Sequence, residues 1–184
     1  MRILGVIGIE SPGWLGALDR VMEDWGYVRV EGSLLAEDYP FERYELCEFI
    51  AIPLKGFAKG LVTEYNNWVL QWAVKLSQIV DGPVMGLRAD GIRPPVLKVY
   101  REGRIVLKSG PDDDDETGLI ARESEPQEIA DFFQSLGVNM PVKEIEPWRI
   151  LDNLGFPPVK RARECMGQEV LSYLKNDSPL LEWQ

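Results

Sequence analysis

The stretch Val96-Leu97-Lys98-Val99-Tyr100-Arg101-Glu102-Gly103-Arg104-Ile105-Val106-Leu107-Lys108 decides the fold class. Two short runs rich in Val, Ile and Leu flank Arg101-Glu102-Gly103, and Gly103 supplies the backbone angles that a tight reversal needs. The pattern predicts an antiparallel hairpin over 96–100 and 104–108. Its outer edge is a candidate contact surface, unless the domain itself covers it.

Upstream, 2–9 reads as a buried strand, Ser11-Pro12-Gly13 as a turn, and 14–25 as a helix. In that helix Trp14, Leu18, Val21, Met22 and Trp25 recur at helical spacing, and Gly26 ends it. Strands are predicted over 27–30 and 44–52, the second stopped by Pro53. A long helix is predicted over 61–80, where Val62, Tyr65, Val69, Trp72, Leu76 and Ile79 form an apolar stripe, before Asp81-Gly82-Pro83 and a strand over 84–87. Trp14, Trp25, Trp68 and Trp72 are expected in the core; Trp148 and Trp183 are less constrained.

Downstream, Ser124 and Gln127 suggest a capping box around Pro126, and Ile129, Phe132, Phe133 and Leu136 continue a helix that Gly137 stops. Further helices are expected over 145–154 and 159–174, making 126–184 a helical C-terminal subregion. The fold class is therefore α+β: one compact domain over 1–184, with a mixed or mainly antiparallel sheet covered by helices and a helical C-terminal region. No internal repeat is present.

Between hairpin and C-terminal helices, 109–125 reads as an acidic surface loop. It holds Asp112, Asp113, Asp114, Asp115 and Glu116 in an unbroken run, and the segment 111–131 carries nine acids and one base, a net −8 of the chain's formal −10. The twenty bases are dispersed, so a nucleic acid is a poor partner, whereas a basic protein or a bound cation suits the field. Asp112 to Glu116 are the candidate binding residues.

The chain has no His, which removes His-dependent triads, His-containing zinc sites and His acid–base catalysis. Cys47 and Cys165 lie far apart in apolar surroundings and are expected to be structural in a reducing, cytoplasmic setting. No signal peptide or membrane-length apolar run is seen. Gly5-Val6-Ile7-Gly8-Ile9 lacks a dinucleotide-binding turn and Lys55-Gly56-Phe57-Ala58-Lys59-Gly60 lacks the P-loop pattern; the latter reads as a solvated turn with an anion site as its alternative. Glu10 and Glu64 are possible members of a spatial carboxylate pair, read first as structural or solvated. No catalytic residue, metal ligand or cofactor is nominated.

Asp112-Asp113, two intervening residues and Glu116-Thr117-Gly118 resemble the acidic-acidic-x-x-acidic-Thr-Gly loop of the phosphoribosyltransferase family over seven residues. The resemblance implies ribose and magnesium positioning by Asp112 and Asp113 and a phosphate cradle at Thr117 and Gly118. The chain departs from that pattern just upstream, where Lys108-Ser109-Gly110-Pro111 replaces an apolar strand. In size, acidity and mixed α/β organisation the chain is also similar to acidic bacterial immunity proteins, which implies stoichiometric inhibition of a toxin. The expectation is a small acidic protein-binding module, an immunity-like inhibitor that masks a basic protein surface. A His-independent divalent-metal- or nucleotide-binding enzyme is the alternative, and a structural assembly component the third reading.

Overall fold

The hairpin forms as expected. The structure, a computed structural model, describes residues 2–31, 45–111, 118–165, 168–178 and 181. Its strands are β1 (Leu4–Ile9), β2 (Tyr27–Val30), β3 (Leu46–Ile52), β4 (Lys59–Thr63), β5 (Val84–Ala89), β6 (Val96–Arg101), β7 (Arg104–Ser109) and β8 (Glu169–Lys175). The helices are α1 (Trp14–Asp24), α2 (Val69–Ser77), α3 (Pro126–Ser135) and α4 (Pro147–Asn153). The strands join one sheet in the order β2-β8-β3-β4-β1-β5-β6-β7, with every neighbouring pair antiparallel. At the β6–β7 reversal Arg101 pairs with Arg104, and Glu102 and Gly103 take φ of 49° and 75°, the left-handed angles of a two-residue hairpin turn.

Helices cover both faces of the sheet. On one face α1 and α2 pack with Ile7, Phe49, Leu61, Val84, Tyr100 and Tyr173; on the other, α3 and α4 pack with Val6, Ile50, Val62, Leu87 and Val99. Central strands are consequently buried on both sides: every residue of β1 and β5 is buried. Close packing depends on small residues. A Cβ placed on Gly86 would come within 2.9 Å of the Ala73 Cβ, and one on Gly5 within 2.9 Å of the Val69 Cβ, so α2 lies directly on β1 and β5.

Three sequence expectations are corrected. The helix predicted over 61–80 is divided: Leu61-Val62-Thr63 belongs to β4, which pairs with both β1 and β3, and the helix starts only at Val69. Between them the Thr63 Oγ1 accepts the Tyr65 backbone N–H at 3.2 Å, turning the chain. A strand buried on both faces shows a continuous apolar run, which merges with the stripe of the helix that follows it.

The helix predicted over 159–174 is absent; a short 3-10 turn at Ala162–Glu164 precedes β8, which enters the sheet between β2 and β3. Val170 and Tyr173 are strand-favouring residues, and ladder pairing to two neighbours outweighs the helical spacing of Val159, Ala162, Met166 and Val170 from which the helix is expected. The C-terminal region thus holds α3 and α4 but returns to the sheet, and the description of 126–184 as helical does not stand. The capping box moves by one residue: Glu125 is the N-cap, its N–H donates to Glu128 Oε2 at 2.8 Å, and Pro126 opens the helix. Ser124 instead bridges to β7, its Oγ accepting the Lys108 N–H at 3.0 Å and its N–H donating to the Lys108 carbonyl at 2.9 Å.

Candidate acidic binding margin

The nominated residues Asp112 to Glu116, with Thr117, lie outside the described residues. What the structure places is the base of their segment. β7 ends at Ser109, Gly110 turns with φ 109°, and its N–H donates to Glu123 Oε1 at 3.2 Å. Together with the Lys108–Ser124 bridge, this joins the departing and returning chain side by side along the outer edge of the sheet. A Cβ on Gly110 would meet the Pro95 carbonyl oxygen at 2.5 Å, so this junction also requires glycine for space. Gly118, the last residue of the phosphoribosyltransferase-like stretch, has φ 68° and open space around its α-carbon.

From the junction the acids continue along the surface. Glu123, Glu125, Glu128 and Asp131 are all exposed. Arg122 forks onto Glu128 with N–H···O distances of 3.1 and 2.8 Å; its guanidinium and the Glu125 N–H hold the Glu128 carboxyl below the usual carboxylate range. Gln127 Nε2 donates to Asp131 Oδ1 at 2.8 Å. Beside these groups Ile105, Val106, Lys108, Ala121, Arg122 and Glu128 border a groove of about 190 Å³. Two apolar side chains are exposed here, Ile120 at 87% and Val106 at 43%, so the margin offers hydrocarbon as well as charge.

Inside this edge the charge changes sign. Arg88, Lys98 and Lys108 are buried at 4%, 1% and 2% exposure on three adjacent strands. Lys98 pairs in register with Lys108 on one side and with Gly86 on the other, which puts all three cations on the sheet face covered by α2. Buried ammonium groups require acceptors. For Lys108 one is the Ala121 carbonyl, 2.8 Å from Nζ, which draws the returning segment onto the sheet.

A second recess lies by the interior strands β3 and β4, on the sheet face that α3 and α4 cover. Leu46, Glu48 and Ile50 of β3, Val62 and Glu64 at the end of β4, Tyr65, and Ala162 and Arg163 of the 3-10 turn enclose about 220 Å³. Ser172 Oγ donates to Glu48 Oε1 at 2.8 Å, and the Arg163 N–H donates to Glu64 Oε1 at 3.2 Å. Glu64 was legible as a carboxylate of interest, but with the wrong companion: it faces the Glu48 region, whereas Glu10 sits against Gly82, where its Oε2 would be 2.3 Å from an added Cβ. Glu48 itself was missed, because only the β3–β4 register and the position of β8 show where it points.

The thiols are enclosed. Burial pushes Cys47 up to about 12, and burial with the Glu164 and Glu64 carboxylates raises Cys165. Both are uncharged at neutral pH; at Cys47 the Tyr27 hydrogen bond and the Lys175 ammonium pull the thiol down, but by less than burial raises it. Lys55 and Lys59, considered as an anion site, serve structure: the Lys55 N–H donates to the Leu154 carbonyl at 2.9 Å, and Lys59 Nζ lies 5.4 Å from the Trp14 ring centre. Among the described residues no group of three Cys, Asp or Glu side chains is placed to hold a metal ion, and no helix is long and apolar enough to cross a membrane. Comparison with protein-family models, with curated proteins and with solved structures finds no significant match for this chain.

Proposed function

We propose that the protein is an acidic recognition module that binds a basic protein surface and masks it, an immunity-like inhibitor in its mode of action. One observation carries the reading: the acidic segment returns along the outer edge of the sheet, where Glu123, Glu125, Glu128 and Asp131 are exposed beside Val106 and Ile120. Asp112 to Glu116 belong to the same segment and add five carboxylates to it. Such a margin attracts a cationic partner at long range, speeds its encounter and discriminates against acidic competitors. The exposed Ile120 and Val106 give the docked state apolar contact within a polar rim. Masking is stoichiometric and involves no bond making or breaking by the protein.

The test is capture from the lysate of the source cells, on the folded chain, at low and at high salt. A basic protein retained in near one-to-one amount at low salt and released as salt rises supports the reading, since rim electrostatics are screened over a Debye length of about 8 Å at physiological ionic strength. No retained protein, or one whose retention ignores salt, contradicts it.

A further inference from the structure

Asp-Gly occurs twice in the chain, at Asp81-Gly82 and Asp90-Gly91, and the fold restrains the two pairs very differently. In such a pair the glycine backbone nitrogen, unhindered by a neighbouring Cβ, can attack the aspartate side-chain carboxyl carbon. A C–N bond forms, a C–O bond breaks, and the carboxyl hydroxyl leaves with the amide proton as water. Water then opens the cyclic imide at either carbonyl. One opening restores aspartate; the other leaves isoaspartate, in which the main chain runs through the side-chain carbon. The reaction needs no oxidant, metal or second reactant, and it consumes the protonated carboxyl.

At Asp81 the carboxyl is unrestrained. The residue is exposed, and among the described residues no hydrogen bond or ion pair holds its side chain. Gly82 takes φ 103°, and a Cβ there would lie 2.3 Å from Glu10 Oε2, so packing and backbone both demand glycine. The fold thus keeps at this position the residue that leaves the attacking nitrogen most open.

At Asp90 the carboxyl is fastened beyond Gly91. Its Oδ1 accepts the Ile92 and Arg93 N–H groups, each at 2.9 Å, and its Oδ2 accepts Arg93 Nε at 2.6 Å. The side chain is only 13% exposed. Attack by the Gly91 nitrogen requires these bonds to break, and the same donors hold the carboxyl at about 2, which depletes the protonated form.

We propose that Asp81 is a site of spontaneous isomerisation to isoaspartate in the folded protein, and that the hydrogen bonds on Asp90 protect the second pair. The inference is independent of what the acidic margin binds. The extra main-chain atom would fall just ahead of Pro83, whose carbonyl accepts the Glu10 N–H at 3.4 Å, and of the Ile9–Val84 pair that ends the β1–β5 ladder.

The experiment is incubation of the chain in heavy-oxygen water, native and in denaturant, followed by peptide mapping. Incorporated label counts imide openings at each site, and a protease that cuts before aspartate but not before isoaspartate identifies the product. Each native rate is divided by the denatured rate at the same site. The ratio should be close to one at Asp81 and about tenfold lower at Asp90, as expected when a charge-assisted hydrogen bond must break before attack. The Arg93→Gln variant, confirmed as folded, should raise the Asp90 rate and leave Asp81 unchanged. Equal ratios at the two sites, a native rate at Asp81 suppressed about tenfold, or an Asp90 rate that Arg93→Gln does not raise would overturn the proposal.

Discussion

At the scale of single residues, burial and local hydrogen bonds determine which groups can react or titrate. Cys47 and Cys165 are enclosed and their thiols shifted upward, so neither should react with iodoacetamide in the native protein at neutral pH, while both should react after denaturation; mass spectrometry of the alkylated chain reads this directly. Asp90 behaves oppositely. Burial pulls its carboxyl up, but the N–H groups of Arg93 and Ile92 and the Arg93 guanidinium outweigh that and hold it at about 2, below its ordinary 3.8. A depressed carboxyl stabilises the fold above its unfolded pKa and loses that contribution as pH falls through its folded pKa. The Asp90→Asn variant should therefore be less stable than the parent at pH 5 and approach it near pH 2. Denaturant melts across that range check the sign; a stability gap independent of pH would contradict it. The structural role of the cysteines and the chemistry of the Asp90 turn are local matters. Of these, the sequence made the first visible through apolar neighbours, while the second needed the turn geometry.

At the scale of elements, the hairpin, β1, β2 and α1 follow from patterns confined to a few neighbouring residues, and those are the parts the sequence displays most plainly. β4 and β8 were illegible for a shared reason: each is specified by partners distant in the chain. β4 lies between β3 and β1, and β8 between β2 and β3, so pairing overrides the helical spacing of their apolar residues.

The same packing makes two stability predictions. Gly86→Ala puts a methyl group 2.9 Å from the Ala73 Cβ and should destabilise by about 1–3 kcal/mol as α2 is pushed off the sheet. Glu102→Asn should stabilise by about 0.5–1 kcal/mol, because Glu102 occupies φ 49° beside Gly103 and Asn-Gly is the preferred pair for such a turn. Unfolding midpoints with unchanged m-values would test both; a neutral Gly86→Ala would show that α2 does not press on β5 as described.

At the scale of the whole molecule, charge is arranged by layer. Arg88, Lys98 and Lys108 are interior, while the acids of 123–131 are exposed along the edge that the same strands build. Composition showed the excess of acid and its concentration in one segment, but strand order was needed to place that segment's return beside the terminal strand of the sheet and to bring Glu48 and Glu64 into one recess. The role proposed for the acidic segment is recognition of a basic protein surface. The most direct measurement is the affinity of the captured protein for the parent chain and for the chain carrying D112N, D113N, D114N, D115N and E116Q, each confirmed as folded, over a series of salt concentrations. The account predicts weaker and slower association for the neutralised chain, most marked at low salt, with the two chains converging as salt rises. Equal affinities and equal salt dependence would contradict it.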